Sequence, residues 1–383
     1  ETPPTWNPTI GAPSIKRYQT ALALLTGTLA GQVLMVGGYN GGCCPGPSGT
    51  YATTEIYNPG PKTWSAGPTM NVSRFLHTAT VLLDGRVLVV GGALRDPLTA
   101  YDSTEIYTPG GTSWTVNKPM AAARYGHTAT RLPSGKVLVI GGANGTTALN
   151  SVELYDPSGS GSWSTQTSMK VARQLHTATL LPSGQVLVAG GQDINGVSTD
   201  SAELYDPVTN TWSDAGPLNG VRGRHIAALF SCGQVLIAGG AGANGADLAS
   251  AEIYTQKDNL TPNTLNSGTV GQAFTQNFSL TGGVTPITYT LTGTLPKGMT
   301  LQLDGKLTGV PEEKGSFTFT VKATDKNGCM GTVKITWQVE CPTIVISPSG
   351  SLSGVAGQTY SPLVQLTANG GTASYTYALS SGL

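Results

Sequence analysis

From His77 to Gly92 the chain reads HTATVLLDGRVLVVGG, two runs of alternating or contiguous apolar residues about a turn at Asp84-Gly85, closed by a Gly-Gly doublet. Apolar runs of this length with period-two alternation predict strands, and two of them about a glycine turn predict a β-hairpin. The pattern returns at His127, His176 and His225, so the four histidines stand 50, 49 and 49 residues apart. Each is preceded three positions earlier by an arginine: Arg74, Arg124, Arg173 and Arg222. A weaker copy, KRYQTALALLTGTLAGQVLMVGG, opens the series, with Lys16 and Gln19 read at the arginine and histidine places. Doublets at Gly37, Gly91, Gly141, Gly190 and Gly239 count five copies.

After each doublet comes a loop of varied sequence and then a Glu-Ile/Leu-Tyr strand, at Glu55, Glu105, Glu153, Glu203 and Glu252. In the first four copies a further strand carries Trp64, Trp114, Trp163 or Trp212. Four short strands and their turns fill a period near 50 residues, a repeat to be recognised before any local assignment. The doublet, the Tyr and the later Trp at this spacing resemble the kelch repeat over about residues 1–256. The resemblance implies an all-β, five-bladed kelch-type β-propeller. The fifth copy lacks a Trp strand, while Trp6 lies ten residues before Lys16, the offset that separates Trp64 from Arg74. The N-terminal strand is therefore expected to complete the last blade and hide two sheet edges.

Beyond Asn259 this period disappears and Thr-rich alternation takes over, as in SFTFTVKATD and GTVKITWQVE. Residues 259–340 resemble the bacterial Putative-Ig (cadherin-like) domains, implying one complete Ig-like β-sandwich. A second copy starts at Cys341, since Gly357-Gln358 repeats Gly271-Gln272 and Tyr377 repeats Tyr289. Residues 341–383 hold only its beginning. Half a sandwich cannot hide its core, so either the protein continues beyond Leu383 or another chain supplies the missing strands, a second copy of this one included.

Charged residues are 11% of the chain, and 21 basic against 21 acidic residues give no net charge. That argues against nucleic acid or an anionic membrane as a partner, since both require a concentrated basic field. No apolar run reaches the length of a membrane span. Low charge, abundant Thr and Ser and a start without Met point to an extracellular or cell-surface setting. The five cysteines fit neither a dense disulfide scaffold nor a paired metal-ligand spacing. Cys43-Cys44 reads as a vicinal disulfide, a link to a partner, or free thiols. Cys329 and Cys341 flank a strand of about ten residues, too long to bridge. The topology of the sandwich turns Cys329 toward the propeller, with Cys232 its unclaimed candidate, and leaves Cys341 to a partner from beyond the segment.

The rings Arg74, Arg124, Arg173, Arg222 and His77, His127, His176, His225 invite a metal reading. A propeller spaces equivalent residues too widely to share one ion, and no Cys or carboxylate completes a set, so they read as a structural ring that hydrogen-bonds backbone between blades, with no metal and no cofactor. Some kelch proteins resemble galactose oxidase, whose copper site needs a Tyr-His pair; no such dipeptide occurs here. The recurring Glu reads as scaffold, leaving no visible carboxylate pair for glycoside hydrolysis. Binding specificity belongs on the loops after the doublets, where Tyr39, Asn40, Arg95, Asp96, Asn144, Asp193, Asn195 and Asn244 are the residues to test. Asp325 to Gly328 reads as an Asx turn rather than a calcium loop. Asn71, Asn144, Asn259 and Asn277 begin glycosylation sequons. The expected function is a secreted or surface interaction or structural protein, with the propeller as head and the Ig-like domains as stalk, and a protein or glycan as partner. The alternative is a carbohydrate-binding or carbohydrate-active protein working at the propeller mouth.

Overall fold

The computed structural model describes residues 12–40, 49–230, 233–256, 260–281, 283, 285–326, 328–342, 345–348 and 366–369. Strands account for nearly all of its regular structure; the described exceptions are two single 3-10 turns, Gly27–Leu29 and Ala243–Gly245. The chain divides into two compact units, residues 1–255 and 256–383.

The first unit is a β-propeller of five antiparallel sheets taken in chain order. Blade 1 comprises Ala21–Leu24, Val33–Val36, Thr54–Asn58 and Thr63–Ala66. Blade 2 comprises Thr78–Val81, Val87–Val90, Thr104–Tyr107 and Trp114–Asn117. Blade 3 comprises Thr128–Arg131, Val137–Ile140, Val152–Asp156 and Ser162–Gln166, and blade 4 Thr177–Leu180, Val186–Ala189, Ala202–Asp206 and Thr211–Asp214. Among the described residues blade 5 shows three strands, Ile226–Leu229, Val235–Ala238 and Ala251–Tyr254. In blades 2 to 4 each second strand lies between two others and between two neighbouring blades. It therefore reads as an unbroken apolar run: all four residues of Val87–Val90, of Val137–Ile140 and of Val186–Ala189 are buried.

Side chains interdigitate between successive blades. Leu88, Val90 and Ile106 of blade 2 pack on Met120, Val137 and Tyr155 of blade 3, and equivalent clusters join blades 1 and 2, 3 and 4, and 4 and 5. Among the described residues no such cluster joins blade 5 to blade 1, and Leu22, Leu24, Ile226 and Ile253 are each more than half exposed. The expected closing strand around Trp6 lies outside the described residues. In blades 1 to 4 the Tyr and Trp face each other across the third and fourth strands, with ring centroids 5.0 to 5.3 Å apart. The indole N–H of Trp114, Trp163 and Trp212 donates to the carbonyl of Pro68, Lys118 and Thr167 in the segment that leads into its blade.

In the second unit, Gly268–Thr269 pairs in parallel with Met330–Glu340, which continues through Gly315–Asp325 to Ile287–Gly293. A second sheet consists of Phe274–Asn277, Lys306–Gly309 and Met299–Leu301. Trp337, Phe319, Val321 and Leu307 fill the space between them. In the second strand of this pair alternation is strict: every second residue from Gly331 to Val339 is buried. Val345–Pro348 and Leu366–Asn369 form a two-stranded pair in the region read as the second sandwich, most of which lies outside the described residues.

Candidate functional site

The arginine ring is one half of a buried clasp. Nη2 of Arg74, Arg124, Arg173 and Arg222 stands 2.7 to 2.8 Å from a carboxylate oxygen of Glu105, Glu153, Glu203 and Glu252 in the third strand of the same blade. Nη1 donates to the carbonyl of the first doublet glycine, as Arg124 does to Gly141 at 2.7 Å. The other carboxylate oxygen accepts a backbone N–H from the segment before the arginine, as Glu153 accepts from Ala121 at 2.7 Å. Blade 1 is built alike, but from Arg17 and Glu55 at 2.7 Å, with Ser14 N–H on the second oxygen. Arg17, not Lys16, therefore occupies the arginine place, and Thr20, not Gln19, the histidine place. The arginine side chains thus bond within their own blade, with the repeated Glu as counter-ion, while the arginine carbonyls bond between blades, as Arg124 O accepts from Gly92 N at 2.9 Å. With both charges consumed, the clasp offers structure and no free catalytic group.

The histidines do bridge blades. Nε2 of His127, His176 and His225 lies 2.9 to 3.0 Å from the hydroxyl of Thr78, Thr128 and Thr177 in the preceding blade. Blade 1 has Ala21 at the corresponding position, so among the described residues the buried His77 has no threonine partner, and neither of its ring nitrogens has a hydrogen bond of good geometry. Burial, reinforced by the neighbouring arginine, pulls the His77 and His176 pKa values down to about 3 and that of His225 to about 4, and holds His127 well below the ordinary range. Among the described residues no three His, Cys, Asp or Glu side chains gather as a metal-binding group.

At one end of the propeller the turns leading into the first strands pair with the loops that leave the doublets: Tyr18 with Tyr39, Phe75 with Ala93, Tyr125 with Ala143, Gln174 with Gln192, and Gly223 with Ala241. The next residue, Gln19, Leu76, Gly126, Leu175 or Arg224, has a φ between +50° and +62°. That left-handed step aims its N–H at the previous blade, so Gly126 N donates to Leu76 O, Leu175 N to Gly126 O and Arg224 N to Leu175 O, at 2.8 to 2.9 Å. The mouth so formed is uneven. On blades 1 to 3 it carries the exposed Tyr18 and the half-buried Tyr39 over the buried Phe75 and Tyr125, with Tyr39 5.9 Å from the Tyr18 ring and 5.2 Å from the Phe75 ring. The Arg95 guanidinium lies 4.4 Å above Tyr39. On blades 4 and 5 it carries Gln174, Gln192 and Arg224, whose Nε donates to Gln192 Oε1 at 3.2 Å.

Of the loop residues read from the sequence, Tyr39 and Arg95 come together at this mouth, with Asn40 next to one and the exposed Asp96 next to the other. Asn144 Oδ1 is occupied by the N–H groups of Thr146 and Thr147, and Asp193 Oδ1 by those of Asn195 and Val197, so these carbonyl and carboxylate oxygens cap their own turns. Asn244 holds a left-handed turn position at φ +56°. Tyr18, Phe75, Tyr125, Gln174, Gln192 and Arg224 were not singled out by sequence. Their signal was positional: all but Gln192 and Arg224 directly follow the clasp arginine, at a place where residue type varies from blade to blade.

In the Ig-like unit, Asp325 Oδ1 accepts the Cys329 N–H at 2.8 Å and Asp325 O the Gly328 N–H at 3.0 Å, an Asx-type turn. Cys329 is disulfide-bonded and Cys341 is a free, exposed thiol. Cys43, Cys44 and Cys232, and Asn259 of the sequons, lie outside the described residues. Asn71, another sequon residue, has its amide bonded to Glu105 at 2.8 Å.

Five clasped blades and a two-sheet sandwich define the class: a kelch-type β-propeller joined to an Ig-like domain. Comparison with known proteins agrees. Residues 123–170 and 177–219 match the family described as "Kelch motif", and residues 257–340 match the family described as "Putative Ig domain". No curated protein sequence matches the chain. A solved structure described as "Structure of YjhT" aligns with a TM-score of 0.56 at 15% identity, covering 68% of this chain and 87% of that one, a likeness of fold alone. A fungal alcohol oxidase of the AA5 family, solved with copper, aligns at 14% identity over 85% of this chain and 86% of its own, but its TM-score of 0.44 is too low to bear on either fold or chemistry. No described helix is long and apolar enough to cross a membrane.

Proposed function

We propose that the protein is a secreted or cell-surface interaction protein whose propeller mouth holds a partner while the Ig-like region spaces that head from its attachment. Kelch and Ig-like units together support an interaction or structural role, and the mouth carries the reading further. There Tyr18, 62% exposed, and Arg95 stacked on Tyr39 offer an aromatic and cationic surface, held by a backbone ring beneath it. Aromatic and arginine side chains on a rigid frame are what dominate binding energy at protein interfaces. The low charge and Thr-rich strands of the chain suit an extracellular setting.

A glycan is the second reading, favoured by the exposed Tyr18 ring next to Tyr39, since sugars stack on such platforms. Full-length protein applied to a glycan array and to biotinylated surface proteins of the source cells separates the two. The protein reading expects capture of a surface protein that is lost on Tyr18→Ala and Arg95→Ala. Specific glycan binding lost with the same variants would replace it. Binding insensitive to both variants, or recovery of the protein only from the cytosol, would refute the proposal.

A further inference from the structure

The first hairpin of blades 2 to 5 turns at a glycine: Gly85, Gly135, Gly184 and Gly233, with φ of +87°, +84°, +85° and +73°. At three of them the preceding blade lays a side chain against the turn. A Cβ on Gly85 would stand 3.1 Å from the Thr26 hydroxyl, one on Gly135 2.6 Å from Leu83 Cδ1, and one on Gly233 3.2 Å from Pro182 Cγ. At Gly184 no described residue lies within 4 Å. Pro133 holds the Leu83 place in blade 3 but does not reach the turn at Gly184, whereas Pro182 at the same place in blade 4 reaches Gly233.

Between blades 3 and 4 lies a cavity of about 550 Å³, within the size range of ligand sites. Leu132, Pro133, Leu154, Pro207 and Val208 supply its apolar wall. Val208 is 91% exposed at its lip, while Leu132 beneath is 5% exposed. The charges around it are already engaged. Lys136 Nζ pairs with Asp156 at 3.0 Å, and Asp206 Oδ1 accepts the N–H groups of Val208 and Thr209 at 2.9 and 3.3 Å. An uncharged, apolar occupant is what this wall favours.

We propose that the cavity between blades 3 and 4 is a second binding site, a pocket for a leucine-type or aromatic side chain presented by a partner polypeptide. One junction earlier its own Leu83, 66% exposed, lies across the corresponding turn with its Cδ1 against Gly135, and this is the contact an incoming leucine-type side chain would make at Gly184. The floor of the pocket is preformed, since Leu132 is buried and Leu154 lies in the third strand of blade 3, so binding there does not require those walls to be ordered first. The proposal rests on the reading of the propeller as an interaction unit but needs no contribution from the mouth.

The test is selection of a displayed library of random linear peptides on the immobilised full chain. The expected result is enrichment of peptides with a leucine or aromatic anchor whose affinity falls about tenfold or more on Val208→Glu and on Ser183→Trp, which fills the cavity, and is unchanged by Arg95→Ala at the mouth. Val208 and Ser183 are exposed turn residues, and an unchanged melting temperature of each variant confirms that the blades are intact. Peptides that lose affinity only on Arg95→Ala would overturn the pocket while supporting the mouth. Absence of any enriched peptide, or binding of free indole without peptide binding, would also overturn it.

Discussion

Arg124 and Glu153 meet at 2.7 Å with both side chains almost wholly removed from solvent. The arginine also satisfies the carbonyls of Gly141 and Ser151, and the glutamate the N–H groups of Ala121 and Ala122. Arg124→Met strands a buried carboxylate and is expected to destabilise the propeller by about 3–5 kcal/mol. Replacing both residues by Met removes the uncompensated charge but still orphans those backbone groups, so it should recover only part of the loss. Thermal unfolding of the single and double variants checks this. A double variant as stable as the parent would show that the clasp adds nothing beyond apolar packing.

The doublet glycines are not equivalent. A Cβ on Gly141 would stand 2.5 Å from Arg173 O and 2.9 Å from His176 Cε1, at φ +61°. Among the described residues a Cβ on Gly239, at φ +66°, would meet only Leu248 O at 3.7 Å. Gly239→Ala is therefore expected to cost backbone strain alone, about 1–2 kcal/mol. Gly141→Ala should cost about 1–3 kcal/mol more, because the next blade must move. Chemical denaturation of the two variants measures the gap, and equal losses would contradict the inter-blade role of the first four doublets.

The blade plan was legible because the forces that build it repeat: contiguous apolar second strands, a glycine where the next blade leaves no room for a Cβ, and Tyr facing Trp. The clasp was half legible. Arg and Glu recur about thirty residues apart in blades 2 to 5, yet pairing them requires knowing that the lead-in segment folds along the third strand of its own blade. In blade 1 the Arg-x-x-His anchor fails because Thr20 replaces the histidine, and with Lys16 beside Arg17 the alignment slips by one. The mouth was least legible. Its left-handed residues are Gln19, Leu76, Gly126, Leu175 and Arg224, and a conformation shared by such different side chains is fixed by hydrogen bonds to the neighbouring blade rather than by propensity.

The histidine ring makes propeller stability depend on pH. His77 and His176 titrate at about 3 and His225 at about 4 in the folded protein, against an ordinary value near 6.5. As pH falls from about 6.5 toward 4, the unfolded chain takes up protons that the folded chain refuses, and stability drops. Each histidine contributes at most about 1.4 kcal/mol per pH unit within that window, and nothing above it. Urea midpoints measured on either side of the window should be flat at the alkaline side and fall at the acid side, with a shallower fall for His176→Gln. A variant slope equal to that of the parent would show that His176 does not stay neutral in the fold.

His77 gives the last prediction. In the three following blades the ring Nε2 has a threonine hydroxyl from the preceding blade at 2.9 to 3.0 Å. For His77 that position is Ala21, which pairs with Val36 as Thr78 pairs with Val90, so the backbone register is already correct. Among the described residues neither buried His77 nitrogen has a hydrogen bond of good geometry, the Val36 and Arg74 backbone offering only weak compensation, and an unsatisfied buried polar group costs up to about 1–3 kcal/mol. Ala21→Thr should supply the missing hydroxyl at the end of a strand where a β-branched residue is welcome, raising stability by about 1 kcal/mol. The gain must depend on the imidazole: in a His77→Phe background the same substitution has no partner to bond and should stabilise little or not at all. Equal gains in the two backgrounds, measured by the double-mutant cycle, would assign the effect to strand propensity and leave His77 without the role given to it here.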